Sequence, residues 1–114
     1  MADRLIPVRF FRLDSGREPV RDWLRNLERG ARKAIGEDVK TVQLAWPLGM
    51  PLVRKLDADL WEMRSSIPNG TARIIFALHS GAIVLLHGFV KKAQKAAKSD
   101  LTLAKRRLNL LRSQ

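Results

Sequence analysis

Residues 60–90 read LWEMRSSIPNGTARIIFALHSGAIVLLHGFV, and this run sets the architecture of the chain. It divides into β-prone segments over residues 60–67, 71–79 and 82–90, separated by the turn dipeptides at residues 69–70 (Asn-Gly) and 80–81 (Ser-Gly). Short apolar runs broken by such dipeptides are typical of antiparallel strands that follow one another in a meander. A weaker run over residues 52–56 predicts a further strand ahead of them.

The residues before the meander predict one strand and two helices. Residues 8–13 are β-prone and end at the turn cluster Asp-Ser-Gly, so they are the expected first strand. Pro19 suits the first position of a helix, and apolar residues recur at helical spacing from there to Gly30. A second helix is expected over residues 31–46. The pair should form an antiparallel hairpin that covers one side of the sheet.

A last helix completes the predicted fold. Ser99 is its expected N-cap, and an apolar stripe follows at helical spacing. That stripe comprises Leu101, Ala104, Leu108 and Leu111. The order is strand, helix, helix, three or four antiparallel strands, helix, which is a small α+β domain. With 114 residues, the chain is expected to form a single domain over residues 1–114.

Composition narrows the class of protein. The chain has no cysteine, which excludes disulfides and thiolate metal sites. Its first residues lack the apolar stretch of a signal peptide, and the best apolar run, at residues 82–86, is too short to cross a bilayer. We therefore expect a soluble cytoplasmic protein that needs no cofactor.

Positive charge is concentrated in the second half of the chain. From Met63 onward there are ten Lys or Arg and one acid, Asp100, so 10 − 1 = +9 of the +11 net charge lies there. A field this one-sided favours a polyanionic partner, and RNA or a ribosome-bound message fits best.

Turn lengths predict which side chains face one another across the meander. If the first turn is a two-residue loop, Arg64 and Arg73 lie on one face as diagonal neighbours. If the second turn is also a two-residue loop, Arg73 lies opposite Gly88, whose missing side chain would leave room for a phosphate. The same register places His87 on the other face, in the core against the helical pair, together with Phe89 as a core residue.

These basic side chains suit phosphodiester cleavage without a metal. Such cleavage needs a base for the 2′-hydroxyl proton, cations for the charge on phosphorus and an acid for the leaving 5′-oxygen. Guanidinium is a planar and permanently charged fork, so Arg64 and Arg73 are the candidate phosphate ligands. A lysine with cationic neighbours could be the base or the acid. The basic residues considered for this region are Arg54, Lys55, Lys91, Lys92 and Lys95. The two histidines and scattered acids show no metal-ligand spacing, so no metal site is predicted.

Each candidate also has a plainer interpretation. Arg64 beside Glu62 is also explained as an ordinary strand-face charge, and His87 as a hydrogen-bonded structural histidine. Trp61 suits packing better than stacking on a base. The run of Lys91, Lys92, Lys95 and Lys98 is explained either by a solvated loop or by contact with a polyanion.

Several motifs together resemble one known family. They are GREPVRDWL at residues 16–24, PLVRKL at 51–56, LWEMR at 60–64, ARIIF at 72–76 and IVLLHGFVKKAQK at 83–95. In this order they resemble the phage-derived branch of HigB toxins in the RelE/ParE superfamily. The resemblance implies a RelE/ParE-like fold and a toxin that cleaves messenger RNA on the translating ribosome without a metal. It also implies a HigA-like helix-turn-helix antitoxin, with operator DNA bound only through the complex of the two proteins.

The resemblance carries roles to matching residues of this chain. Arg64, Arg73, Lys91 and Lys92 are the implied catalytic residues, and Arg54, Lys55, Lys95, Lys98 and His87 are the expected RNA-binding residues. The chain has no tyrosine, although several RelE-type nucleases have one near the last helix, so the general base stays unassigned.

Two other functions remain open. One is a ParE-like inhibitor of DNA gyrase, and the other is a non-catalytic RNA-binding module. The enzymatic interpretation requires that the guanidinium groups of Arg64 and Arg73 project from the same side of the sheet and that neither is locked in a buried ion pair.

Overall fold

The fold is a five-stranded mixed sheet with helices on both faces. The computed structural model describes residues 5–68, 70–91 and 98–114. The elements are β1 (Val8–Phe10), α1 (Pro19–Arg25), α2 (Arg29–Ala45), β2 (Val53–Asp57), β3 (Leu60–Ile67), β4 (Gly70–His79), β5 (Ala82–Lys91) and α3 (Lys98–Ser113). In the sheet the strands lie in the order β1-β5-β4-β3-β2, and this architecture confirms the predicted α+β class. No helix in the described ranges has the length and apolar character needed to span a membrane.

The first strand joins the sheet in parallel. Val8 pairs with Ile83 and Phe10 with Leu85, whereas β2 to β5 are antiparallel neighbours. The strand is shorter than the predicted range of residues 8–13. The N–H of the next residue, Phe11, still donates to the Leu85 carbonyl at 3.0 Å, and the Phe11 side chain is buried on the α3 side.

The two helices α1 and α2 cover one face of the sheet, as predicted. Pro19 occupies the first turn of α1, where its missing N–H costs no hydrogen bond. Val20 of α1 and Ile35 of α2 are buried against Ile74 and Phe76 of β4, which form the centre of this core. Trp61 packs here too, with its ring 5.3 Å from that of Trp46, so the packing interpretation of Trp61 is confirmed.

Helix α3 covers part of the other face. Ala104, Leu108 and Leu111 are buried against Leu86 and its neighbours, which confirms the predicted apolar stripe. Arg107 Nη1 donates a 2.8 Å hydrogen bond to the Leu86 carbonyl, and this bond fixes the helix to β5. Burial, with a smaller effect from the neighbouring Arg106 charge, lowers the pKa of Arg107. Ser99 lies within the helix, after Lys98, and so does not cap it.

The register between β3 and β4 differs from the predicted one. Ile67 pairs with Gly70, and Arg64 therefore lies directly opposite Arg73 where the sequence predicted a diagonal pair. Pro68 explains the difference, because its fixed φ favours a turn position and it has no N–H for the ladder. A shift of this size leaves both arginines on the same face. Asn69, which was expected in the turn, lies outside the described residues.

A β-bulge changes the register between β4 and β5. Phe76 pairs with Leu85 as the turn predicts, but Ile75 then pairs with His87, so β5 has one extra residue. The prediction that His87 lies on the helical-pair face is therefore wrong, and so is that for Phe89. Because side chains alternate, the extra residue moves both onto the α3 face.

The same bulge moves Gly88 to the other side. It lies opposite Ile74 where Arg73 was predicted. A Cβ built on Gly88 would lie 2.4 Å from Trp23 Cε3, so the indole of α1 fills the space that was predicted to admit a phosphate. That prediction is wrong as well.

Candidate nucleic-acid interface and active site

Three rows of paired residues cross the α3 side of the sheet. Residues that pair directly share a face, and alternate residues along a strand share it too. The rows are Arg54–Glu62–Ile75–His87, then Arg64–Arg73–Phe89, then Ser66–Thr71–Lys91. Arg54, Arg64, Arg73, His87 and Lys91 were singled out from the sequence, and the register places all of them on this one face. We call this set the basic face.

Arg73 lies beneath the surface of the basic face. Its side chain is 3% exposed, and its Nη1 lies 3.6 Å from Oε1 of Glu62, which is 0% exposed. Neither carboxylate oxygen of Glu62 accepts a hydrogen bond from the described residues. The two arginines therefore meet the requirement of a shared face, but Arg73 does not meet the requirement that neither be held in a buried ion pair.

Glu62 was not predicted as the partner of Arg73. The sequence places it two residues from Arg64, and only the observed register brings it near Arg73. Arg64 lies directly opposite Arg73, and Glu62, which pairs with Ile75, is the diagonal neighbour of Arg73 on the same face. The sequence did offer one indication of a buried charge: Glu62 is the one acid among the apolar residues 60–63.

Arg64 is more accessible than Arg73. It is half-buried, and its backbone N–H donates to the Leu52 carbonyl at 2.8 Å, which ties β3 to the chain before β2. Beyond that point β3 borders an open groove next to α2. The groove is lined by Arg64 with Ala34, Glu37, Asp38, Pro51, Leu52, Ser66 and Thr71. Arg64 thus reaches solvent at the edge of the sheet, and the other charged residues that line this groove are the acids Glu37 and Asp38.

A histidine–carboxylate pair lies at the other end of the face. His87 Nε2 is 2.7 Å from Oδ1 of Asp100, which projects from the first turn of α3. The two side chains are 16% and 20% exposed, so the pair is shielded but reaches solvent. The His87 ring also stacks on Phe89, with centroids 5.2 Å apart and an angle of 24°. Asp100 was missed as a site residue, although it is the one acid after Met63.

The remaining basic residues that the sequence predicted do not all lie on the basic face. Lys91 Nζ lies 5.8 Å from the Phe89 ring centroid, at the end of the basic face. Lys55 pairs with Trp61 and its Nζ lies 5.6 Å from that ring, so the register puts Lys55 on the opposite face. Arg54 is exposed on β2, and Lys98 is exposed at the start of α3. Lys92 and Lys95 lie outside the described residues. Within the described ranges, no group of three or more His, Asp or Glu side chains could hold a metal ion.

This fold and its cationic face define a small α+β domain consistent with a RelE-like fold. The chain belongs to the family described as phage-derived protein Gp49-like (DUF891), whose pattern matches residues 22–109, and this is a RelE/toxin-like family. No curated protein matches the chain.

Proposed function

We propose that this protein is the toxin of a type II toxin–antitoxin pair, and that it stops translation by cutting messenger RNA on the ribosome without a metal ion. The toxin-like character of its family supports the general class. The motif resemblance to phage-derived HigB toxins supports the specific activity. The proposed site of action is the cytoplasm, where messages are translated.

The arrangement of the basic face is the observation that carries this proposal. Arg64 and Lys91 project from neighbouring rows on one side of the sheet and reach solvent, so they are the proposed phosphate ligands. Arg73 is held in the buried ion pair with Glu62, which offsets its charge, so the proposal does not use Arg73 as a phosphate ligand and rests on Arg64 and Lys91 instead. Arg54 and Lys98 extend the RNA-binding surface, and Lys92 and Lys95 keep the RNA-binding or catalytic roles that the sequence predicts.

The proposed reaction uses the 2′-hydroxyl of the message as the nucleophile. Its oxygen attacks the adjacent phosphorus, the bond from phosphorus to the 5′-oxygen breaks, and the cationic side chains stabilise the charge of the transition state. The products are a 2′,3′-cyclic phosphate and a 5′-hydroxyl. Cleavage of this kind needs positioning and proton transfer, and it has no requirement for a metal.

The proposed partner is a HigA-like antitoxin with a helix-turn-helix domain. In this proposal it neutralises the toxin, and operator DNA is bound only by the complex. A short reading frame of that type beside the gene would support this assignment.

A second candidate is a non-catalytic RNA-binding module. The observation that favours it is the buried ion pair of Arg73 with Glu62, because a guanidinium that is 3% exposed cannot bind a phosphate directly in this conformation. Both candidates predict RNA binding, but only the first predicts cut messages.

Primer extension on a reporter message, with and without ribosomes, tests the proposal. We expect new 5′ ends within codons only when the protein and ribosomes are both present. Arg64→Ala should reduce the cleavage rate about 100-fold or more, because it removes a cation from the transition state. Lys40→Ala is the matched control, since Lys40 is exposed on α2, which covers the opposite face of the sheet.

Intact messages with wild-type protein would overturn the nuclease proposal. If translation also continued, the RNA-binding module would be favoured. DNA breaks in the same cells would instead favour the gyrase inhibitor. Full activity in folded Arg64→Ala would remove Arg64 from the reaction.

A further inference from the structure

We propose that His87 is the general base of the reaction and that Asp100 is the residue that positions it. This inference rests on the nuclease activity proposed above and supplies the proton acceptor that a chain without tyrosine left unassigned. It depends on a contact between β5 and α3 that neither element reveals alone.

The carboxylate determines which ring nitrogen of His87 is available. Asp100 Oδ1 lies 2.7 Å from Nε2, and an ionised carboxylate can only accept a hydrogen bond, so Nε2 carries the proton in the neutral ring. The lone pair for a substrate proton then lies on Nδ1. A base oriented by an acid in this way is the recurring arrangement of proton-transfer sites.

The position of His87 fits proton transfer better than simple RNA binding. It is two residues from Phe89 on the same face, and Phe89 pairs with Arg73 in the row that also holds Arg64. The ring is therefore one row from Arg64, which lies two strands across the sheet, and two rows from Lys91 on its own strand. Stacking on Phe89 fixes the plane of the imidazole.

Charged groups face His87 from each element packed around it. Asp100 and Arg107 approach from α3, Glu62 lies two strands away in the same row, and Arg73 lies in the next row. Of these, Asp100 makes the direct contact, which is why it is the one assigned a positioning role.

The proposed step balances protons and bonds. Nδ1 of His87 takes the 2′-hydroxyl proton while the bond from the 2′-oxygen to phosphorus forms and the bond from phosphorus to the 5′-oxygen breaks. The leaving 5′-oxygen takes a proton from the Lys91 ammonium. The imidazolium then releases its proton to solvent, and Lys91 regains one from solvent.

Single-turnover cleavage of a reporter message on ribosomes tests this assignment, using His87→Ala, Asp100→Asn and the control His79→Ala. We expect His87→Ala to slow cleavage about 100- to 10,000-fold, which is the usual contribution of a positioned base. Asp100→Asn should slow cleavage less. His79 is the other histidine of the chain and lies at the far end of β4, so its variant should cleave at the wild-type rate.

Added imidazole distinguishes a base from a structural contact. If His87 transfers the proton, imidazole should restore part of the activity of His87→Ala, and the rise of the wild-type rate with pH should be absent from that variant. A histidine that only ties β5 to α3 would lower the melting temperature without either effect. Asp100→Asn, which conserves shape, guards against loss of the fold.

The outcomes separate the two proposals. Wild-type cleavage together with an undiminished rate in folded His87→Ala would overturn the assignment of the base and leave the nuclease intact. A slowed His87→Ala that imidazole does not rescue would assign His87 a structural role. Absence of wild-type cleavage would overturn both proposals.

Discussion

At the scale of single residues, the pair of Glu62 and Arg73 places two opposite charges where almost no water reaches. Removing a charge from water costs several kcal/mol, and attraction between partners offsets this only when both are present. The pair therefore constrains the protein more than it stabilises it, because neither member can be lost alone. It also fixes a guanidinium directly opposite Arg64, under the surface where RNA is proposed to bind.

The buried pair leads to a stability prediction. Glu62→Gln should lower the free energy of unfolding by about 3 kcal/mol or more, because it leaves the Arg73 charge buried without its carboxylate. Urea denaturation measures this loss. The double variant Glu62→Leu/Arg73→Met should lose less than the sum of its two single changes.

Arg64→Ala is the matched control for that experiment. Arg64 is half-buried and directly opposite Arg73, and its removal should cost less than about 1 kcal/mol. A loss below about 1 kcal/mol for Glu62→Gln as well would show that the ion pair does not hold the sheet as described.

At the scale of elements, the β-bulge in β5 determines what the basic face contains. One extra residue between the pairs Phe76–Leu85 and Ile75–His87 exchanges the two sides of the strand beyond it. It moves His87 towards Asp100 of α3 and turns Gly88 towards Trp23 of α1. The same extra residue thus brings His87 into contact with Asp100 on one face and lets Trp23 pack on Gly88 on the other.

The close contact at Gly88 leads to a second prediction about stability. Gly88→Ala should lower the free energy of unfolding by about 1–3 kcal/mol, because its Cβ would overlap the ring of Trp23. Gly36→Ala is the opposite case: Gly36 is exposed within α2, and apart from the neighbouring backbone of its own helix a Cβ there meets nothing within 4 Å. It should stabilise the protein by about 1 kcal/mol through helix propensity. Equal effects of the two changes in thermal unfolding would contradict the packing of α1 on β5.

Local sequence patterns predicted the helices and strands of this fold. They did not predict the strand register, because the register depends on contacts between residues far apart in the sequence. The helical spacing after Pro19 and the turn dipeptides locate the helices and strands to within a few residues. The bulge at Ile75 and Phe76 has no signal of its own, because it arises from how β5 fits the cores on both sides. A single missed residue reversed the side of His87, and with it the contact with Asp100. Arg54 and Arg64 lie on predicted strands and Lys91 directly follows one, so their common face followed once the register and the end of β5 were known.

At the scale of the whole molecule, the fold determines where the positive charge of the chain lies on the surface. The +11 net charge lies mostly in β3 to α3, and the rows of the basic face gather part of it on one side of the sheet. Helix α2 on the other side carries four basic residues and the acids Glu37 and Asp38, so its net charge is 4 − 2 = +2. A chain that is positive on both sides of its sheet should attract an RNA strand at long range, and the basic face is its proposed contact surface.

This charge distribution predicts a strong dependence of RNA binding on salt. With a 2′-O-methyl oligonucleotide, which cannot be cleaved, the logarithm of the binding constant should fall linearly with the logarithm of salt concentration. Arg54→Ala should reduce the slope by about 0.7, the value for one lost contact to a single strand. Lys40→Ala should leave the slope unchanged. Identical slopes for all three proteins would place the RNA elsewhere on the surface.

The parallel pairing of β1 has a consequence for how the protein is made. Val8 pairs with Ile83, which follows it by 83 − 8 = 75 positions, so β1 must wait for a partner strand that is synthesised much later. The proposed proton acceptor and the carboxylate that orients it come later still. A nascent chain therefore lacks the proposed catalytic centre until β5 and α3 have both been synthesised.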